Sequence, residues 1–107
     1  MWRPNEKETN LLRHAIEYHS AEAQIIKAAE EYAEAAAEIS RAALATNFNK
    51  AYETDRLAEE LADAQIMLAQ ILLMYPSLEE EIKQWRGYKL ARLAGLTGFE
   101  EYFNAQK

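Results

Sequence analysis

No cysteine occurs in the sequence, so neither a disulfide framework nor a thiolate zinc site can be built from it. Glycine and proline are scarce, three and two in 107 residues, and strand-like alternation of polar and apolar residues is missing. These absences leave an all-α fold. There is no basic run and the net charge is −6, which argues against a surface that binds nucleic acid by displacing counterions. The longest apolar run, Ile71 to Tyr75, is far too short to span a membrane, and MWRPNEKETN carries no apolar signal core. A cytoplasmic protein with no nucleic-acid or membrane partner is the expectation. What is present is ordinary for a folded chain: 50% hydrophobic and 28% charged residues, in a length that fits a single domain over 1–107.

Four helices are expected. Asn5 and Glu8 form a capping-box pattern that opens a first helix to about Glu17, with Leu11, Leu12, Ala15 and Ile16 at helical spacing. Ser20 is a candidate N-cap for a second, Ala-rich helix to about Ala45. Its apolar stripe is Ile25, Ala29, Tyr32, Ala36, Ile39 and Ala43, and beside that runs a polar seam of Gln24, Lys27, Glu31, Glu34, Glu38 and Arg41. TNFNK at 46–50 supplies turn formers. The third helix runs from about Tyr52 to Met74 and stops at Tyr75-Pro76. Ser77 and Glu80 read as a second capping box, and Leu78, Ile82 and Trp85 as an inward stripe that continues to Lys89 and Arg92. Gly95 and Gly98 mark its end, before an amphipathic tail. Long helices with small-residue faces predict a homo-oligomer, a dimer or a tetramer.

Two acidic pairs, Glu31 with Glu34 and Glu60 with Asp63, carry the chemistry. Each pair is spaced i,i+3, so both its carboxylates point the same way on a helix. From Leu61 to Tyr75 only Asp63, Gln65 and Gln70 are polar, the pattern of a buried helix. A carboxylate there must be paired, protonated or bound to a metal. No Lys or Arg stands three or four positions after Asp63, and the nearest upstream cation, Arg56, is two turns away. Antiparallel packing of the two helices would gather four carboxylates, whose mutual repulsion a divalent cation relieves. The rival reading is a buried ion-pair network through Lys27, Lys89 or Arg92. A di-iron centre needs Glu-x-x-His, and neither His14 nor His19 has Glu three positions before it, so both read as surface residues.

Lys27-x-x-Glu30-Glu31-x-x-Glu34, followed after 25 residues by Glu60-x-x-Asp63, resembles the ExxE…ExxD signature of the MazG-like all-α nucleotide pyrophosphohydrolases. The text opening the third helix, from Leu57 through Leu68, agrees, and Lys89-Leu-Ala-Arg92-Leu93 is similar to that family's basic motif. The resemblance covers about residues 20–95. It implies an oligomeric helical fold and hydrolysis of a (deoxy)nucleoside triphosphate to the monophosphate and pyrophosphate. Glu31, Glu34, Glu60 and Asp63 would be the catalytic Mg2+ ligands, with Mn2+ as the alternative ion, and Lys27, Lys89 and Arg92 would hold the substrate's phosphates. The related phosphoribosyl-ATP pyrophosphohydrolases carry a His one turn after the second-motif Asp; Met67 stands there, which argues against that reaction. Trp85, His19, Tyr18 and Asn47 are candidates to line a base pocket. The competing expectation is a non-catalytic helical module that binds metal or a protein partner.

Overall fold

The computed structural model describes residues 1–104, and these form helices without a strand. Five helices follow in order: α1 (Glu6–His19), α2 (Ala21–Asn47), α3 (Asp55–Met74), α4 (Leu78–Thr97) and a single-turn α5 (Glu101–Asn104). The chain divides into two compact units, Met1–Met74 and Tyr75–Lys107.

In the first unit α1 packs on both α2 and α3. The predicted capping box opens α1: the Asn5 side chain accepts from the Glu8 N–H, and Glu8 Oε1 accepts from the Asn5 N–H, both at 2.8 Å. Ser20 alone joins α1 to α2. Its N–H donates to the Ile16 carbonyl and its hydroxyl accepts from the Ala23 N–H at 3.2 Å, with a backbone of φ 87° and ψ 151°.

The long helices α2 and α3 run antiparallel, because Gln24 pairs with Gln70 at one end and Glu38 with Tyr52 at the other. The face of α2 that is buried consists of Gln24, Ala28, Glu31, Ala35 and Glu38. This overturns the expected orientation: Gln24, Glu31 and Glu38 of the polar seam lie inside while Lys27, Glu34 and Arg41 stay exposed, and most of the apolar stripe is turned out, with Tyr32 42% and Ile39 51% exposed. Polarity did not decide the face, because each buried carboxylate on it has a cation within reach and the alanines between them let the helices approach. On α3, Glu60, Ala64, Met67, Ala69 and Gln70 are buried, while Leu61, Ile66 and Leu68 are exposed. The third helix is therefore not buried all round in the single chain. The core of both units is mostly alanine, and no large side chain among the described residues is fully enclosed.

In the second unit α5 packs on α4. Gly98 ends α4 in the left-handed region (φ 69°), where its N–H and that of Phe99 both reach the Ala94 carbonyl. The expected Ser77–Glu80 capping box does not form. Ser77 already has helical backbone angles, in a turn closed by the Leu78 N–H on the Tyr75 carbonyl, so its hydroxyl makes no cap bond. Leu78 and Ile82 are half-buried as expected, but Trp85 is 63% exposed and Lys89 and Arg92 are exposed too. The buried stripe does not continue to the basic residues, because α4 carries apolar side chains all round and has no single inward face.

Candidate metal centre

The α2–α3 hairpin holds a ladder of polar contacts. At one end the buried Gln24 Nε2 donates to Gln70 Oε1 at 2.7 Å. At the middle rung Glu31, Glu60 and Asp63 each turn one carboxylate oxygen to within 4.8 Å of the others. At the far end the Tyr52 hydroxyl donates to Glu38 Oε2 at 2.6 Å, and Arg41 Nη1 donates to Glu38 Oε1 at 2.8 Å.

Three glutamates are buried in this hairpin, and every Lys or Arg of α2 and α3 serves one of them. Lys27 Nζ lies 3.0 Å from Glu31 Oε1, Arg41 holds Glu38, and Arg56 Nε lies 3.0 Å from Glu60 Oε1. The three sites then differ. Both oxygens of Glu38 have donors. Glu31 Oε2 and Glu60 Oε2 are buried and have no hydrogen-bond partner. The same hairpin thus completes one buried carboxylate and leaves two half-completed, at the place where the carboxylates converge.

Charge and burial shift the neighbouring groups accordingly. The Asp63 carboxyl is pushed above its ordinary range, first by burial and then by the charges of Glu31 and Glu60. Glu34 is pushed up chiefly by the charge of Glu31, followed by that of Glu60. Lys27 is held protonated above its usual value by its hydrogen bond to Glu31. At the completed end the direction reverses: the Tyr52 hydroxyl bond is the main cause that keeps Glu38 below the usual carboxylate range, and that bond raises Tyr52 in turn. Two unit charges 4.8 Å apart repel by about 3 kcal/mol at an effective dielectric of about 20, a repulsion that protonation, the Lys27 and Arg56 pairs or a bridging cation can relieve.

Three of the four expected metal ligands are brought together. Glu34 is exposed and stands outside the close trio, near enough to feel both Glu31 and Glu60. Lys27 is at the rim, on Glu31, with Glu30 4.0 Å away. The ion-pair network weighed as the rival is present in part, through Lys27 and Arg56. It reaches neither Asp63 nor the inner oxygens of Glu31 and Glu60. Lys89 and Arg92 belong to the second unit and are exposed on α4. His14 and His19 are exposed on α1, as expected. Of the base-pocket candidates Tyr18, His19, Asn47 and Trp85, all are exposed.

Sequence reasoning missed the Gln24–Gln70 pair, the Tyr52 hydroxyl on Glu38 and the hold of Arg56 on Glu60. Arg56 was legible as an i,i+4 partner of Glu60. Gln70 was marked by its polarity in an apolar helix, but nothing in the sequence marked Tyr52.

A donor set of carboxylates alone suits a hard divalent cation such as Mg2+ or Mn2+, which takes oxygen ligands and keeps some of its water. The two orphaned oxygens are the test of fit, since both belong to carboxylates of the trio, where a cation would supply a missing partner. Comparison of the chain with known protein families, with curated proteins and with solved structures gives no match.

Proposed function

We propose that the protein is a Mg2+-dependent nucleoside triphosphate pyrophosphohydrolase of the MazG-like kind, acting on a (deoxy)nucleoside triphosphate to give the monophosphate and pyrophosphate. The observation that carries the reading is the contrast between the fully paired Glu38 and the half-paired Glu31 and Glu60, whose carboxylates converge with that of Asp63. Glu31, Glu60 and Asp63 would hold the cation, with Glu34 at the rim. When bound, Mg2+ neutralises the triphosphate and polarises the α–β linkage. The chain's own groups do the rest. A water oxygen bonds to the α-phosphorus, the α-phosphorus to bridging-oxygen bond breaks, and pyrophosphate leaves with that oxygen. Glu34 has a raised proton affinity and an exposed position, and we assign it to accept the water's proton. Lys27 meets phosphate oxygens at the rim, and Lys89 and Arg92 remain further candidates for the same task.

The outward apolar stripe of α2 supports a homo-oligomer as the working form. Ile25, Ala29, Tyr32, Ala36, Ile39 and Ala43 recur at alternating intervals of four and three, the spacing of a helix–helix seam. No single helix among the described residues is long and apolar enough to cross a membrane.

The test is pyrophosphate release from the standard ribo- and deoxyribonucleoside triphosphates with Mg2+, with Glu60→Gln as the blank. Turnover that disappears in Glu60→Gln is the expected result. No turnover on any nucleotide with Mg2+ or Mn2+ would sink the reading.

A further inference from the structure

Arg56 holds Glu60 in a different way from that in which Arg41 holds Glu38. Arg41 donates end-on through Nη1, to a carboxylate whose other oxygen is closed by Tyr52. Arg56 donates through Nε, the side of its fork, to a carboxylate whose other oxygen is open. That contact uses one of the five N–H donors of the guanidinium. The Nη donors of Arg56 take no partner among the described residues, and two-thirds of the side chain (66%) is exposed while that of Glu60 is 4% exposed. A buried carboxylate of the trio therefore anchors a guanidinium whose remaining edge is presented to solvent.

We infer that Arg56 is a phosphate-binding residue of this site, fixed through Nε by Glu60 and reading an anionic polyphosphate with its Nη edge. The inference rests on the proposed function and deepens it. A planar guanidinium edge matches two oxygens of a phosphate, which an ammonium cannot do. Glu31, Glu60 and Asp63 are offset in part by Lys27 and Arg56, and Glu30, Glu34 and Glu59 add further negative charge beside those cations. A divalent cation on the trio would relieve that excess and lower the repulsion that an incoming polyphosphate meets.

The experiment reads metal and anion separately, without turnover. Mn2+ uptake is titrated by electron paramagnetic resonance in the absence of nucleotide, and inorganic pyrophosphate binding is measured by calorimetry at saturating Mg2+. Wild type, Arg56→Gln and Arg56→Lys are compared. Arg56→Gln is expected to take up Mn2+ no more weakly than wild type, since a positive neighbour has gone, and to bind pyrophosphate about ten- to a hundredfold more weakly. Arg56→Lys restores charge without the fork and should fall between the two. Unchanged pyrophosphate affinity in Arg56→Gln overturns the assignment. So does a loss of Mn2+ binding in both variants, which would make Arg56 a support for Glu60 and nothing more. A wild-type protein that takes up no Mn2+ overturns the metal centre itself, a failure distinct from the other two.

Discussion

Asp63 shows how burial and neighbouring charge meet in one carboxylate. Its proton affinity is raised by burial and by the charges of Glu31 and Glu60, and Glu34 is raised by the same two charges. A carboxyl raised on folding stabilises the fold fully below its unfolded value of about 4, and that stabilisation is lost as pH climbs through the raised folded value. The metal-free protein should therefore gain thermal stability as pH falls through the raised folded values toward about 4, and the gain should vanish when Mg2+ is saturating. Glu38 works in the opposite sense. It is depressed on folding, so its contribution is present above about 4 and is lost as pH falls through its lowered folded value. The two windows lie on opposite sides of about 4, and melting curves taken from pH 7.5 down to about 4, with and without Mg2+, isolate the first. Asp63→Asn should raise the metal-free melting temperature at pH 7.5 and abolish the Mg2+-dependent rise. A mutant that still responds to Mg2+ would show that Asp63 is not a ligand.

At the scale of elements, the junction between α1 and α2 is under strain. Ser20 adopts φ 87° and ψ 151°, a region that only glycine visits readily, and strain of this kind costs about 1–3 kcal/mol. Its hydroxyl recovers part of that by capping α2. Ser20→Ala loses the cap and keeps the strain, and should cost about 1 kcal/mol, on the order of a 5 °C fall in melting temperature. Ser20→Gly gives up only a few tenths of a kcal/mol in capping. It should therefore melt at or above the wild-type temperature; a fall as large as that of Ser20→Ala would show that no strain is stored there.

Helix boundaries were legible because caps and breakers are local: Asn5, Ser20, Pro76 and Gly98 all stand at element ends. The inward face of α2 was not legible, because it is set by partners distant in sequence. Glu38 is buried only because Tyr52, fourteen positions on, closes one oxygen while Arg41 closes the other. A carboxylate on an Ala-rich helix reads as solvent-facing until such partners are known. Glu31, Glu60 and Asp63 were legible as candidate ligands from their local i,i+3 spacing, whereas the exclusion of Glu34 from the close trio depends on how the two helices face each other.

For the molecule as a whole, the imbalance lies between what is enclosed and what is left outside. Alanine makes up most of the buried apolar set, while Ile26, Tyr32, Ile39, Leu61, Ile66 and Trp85 are among the large apolar side chains left exposed. So thin a core limits the hydrophobic stabilisation available to one chain of this length. A stable contact between copies needs about 1,200–2,000 Å2 of total buried surface. The outward stripe of α2 offers a self-complementary seam for a two-fold dimer. Sedimentation should give a species of at least two chains, and Ile39→Glu should shift it toward one. A wild-type protein that sediments as a single chain across micromolar concentrations would contradict the seam.

The buried Gln24–Gln70 bond sits two helical turns from Glu31, about 10 Å along α2. Two buried amides that satisfy each other do so at one longitudinal setting; a slide of one turn, about 5.4 Å, would part them. The pair therefore acts as the zero mark of a gauge. The spacing between the carboxylates of α2 and those of α3 is thus held by the hairpin itself, and the part that keeps it is a neutral pair of side chains with no charge to be screened or titrated away.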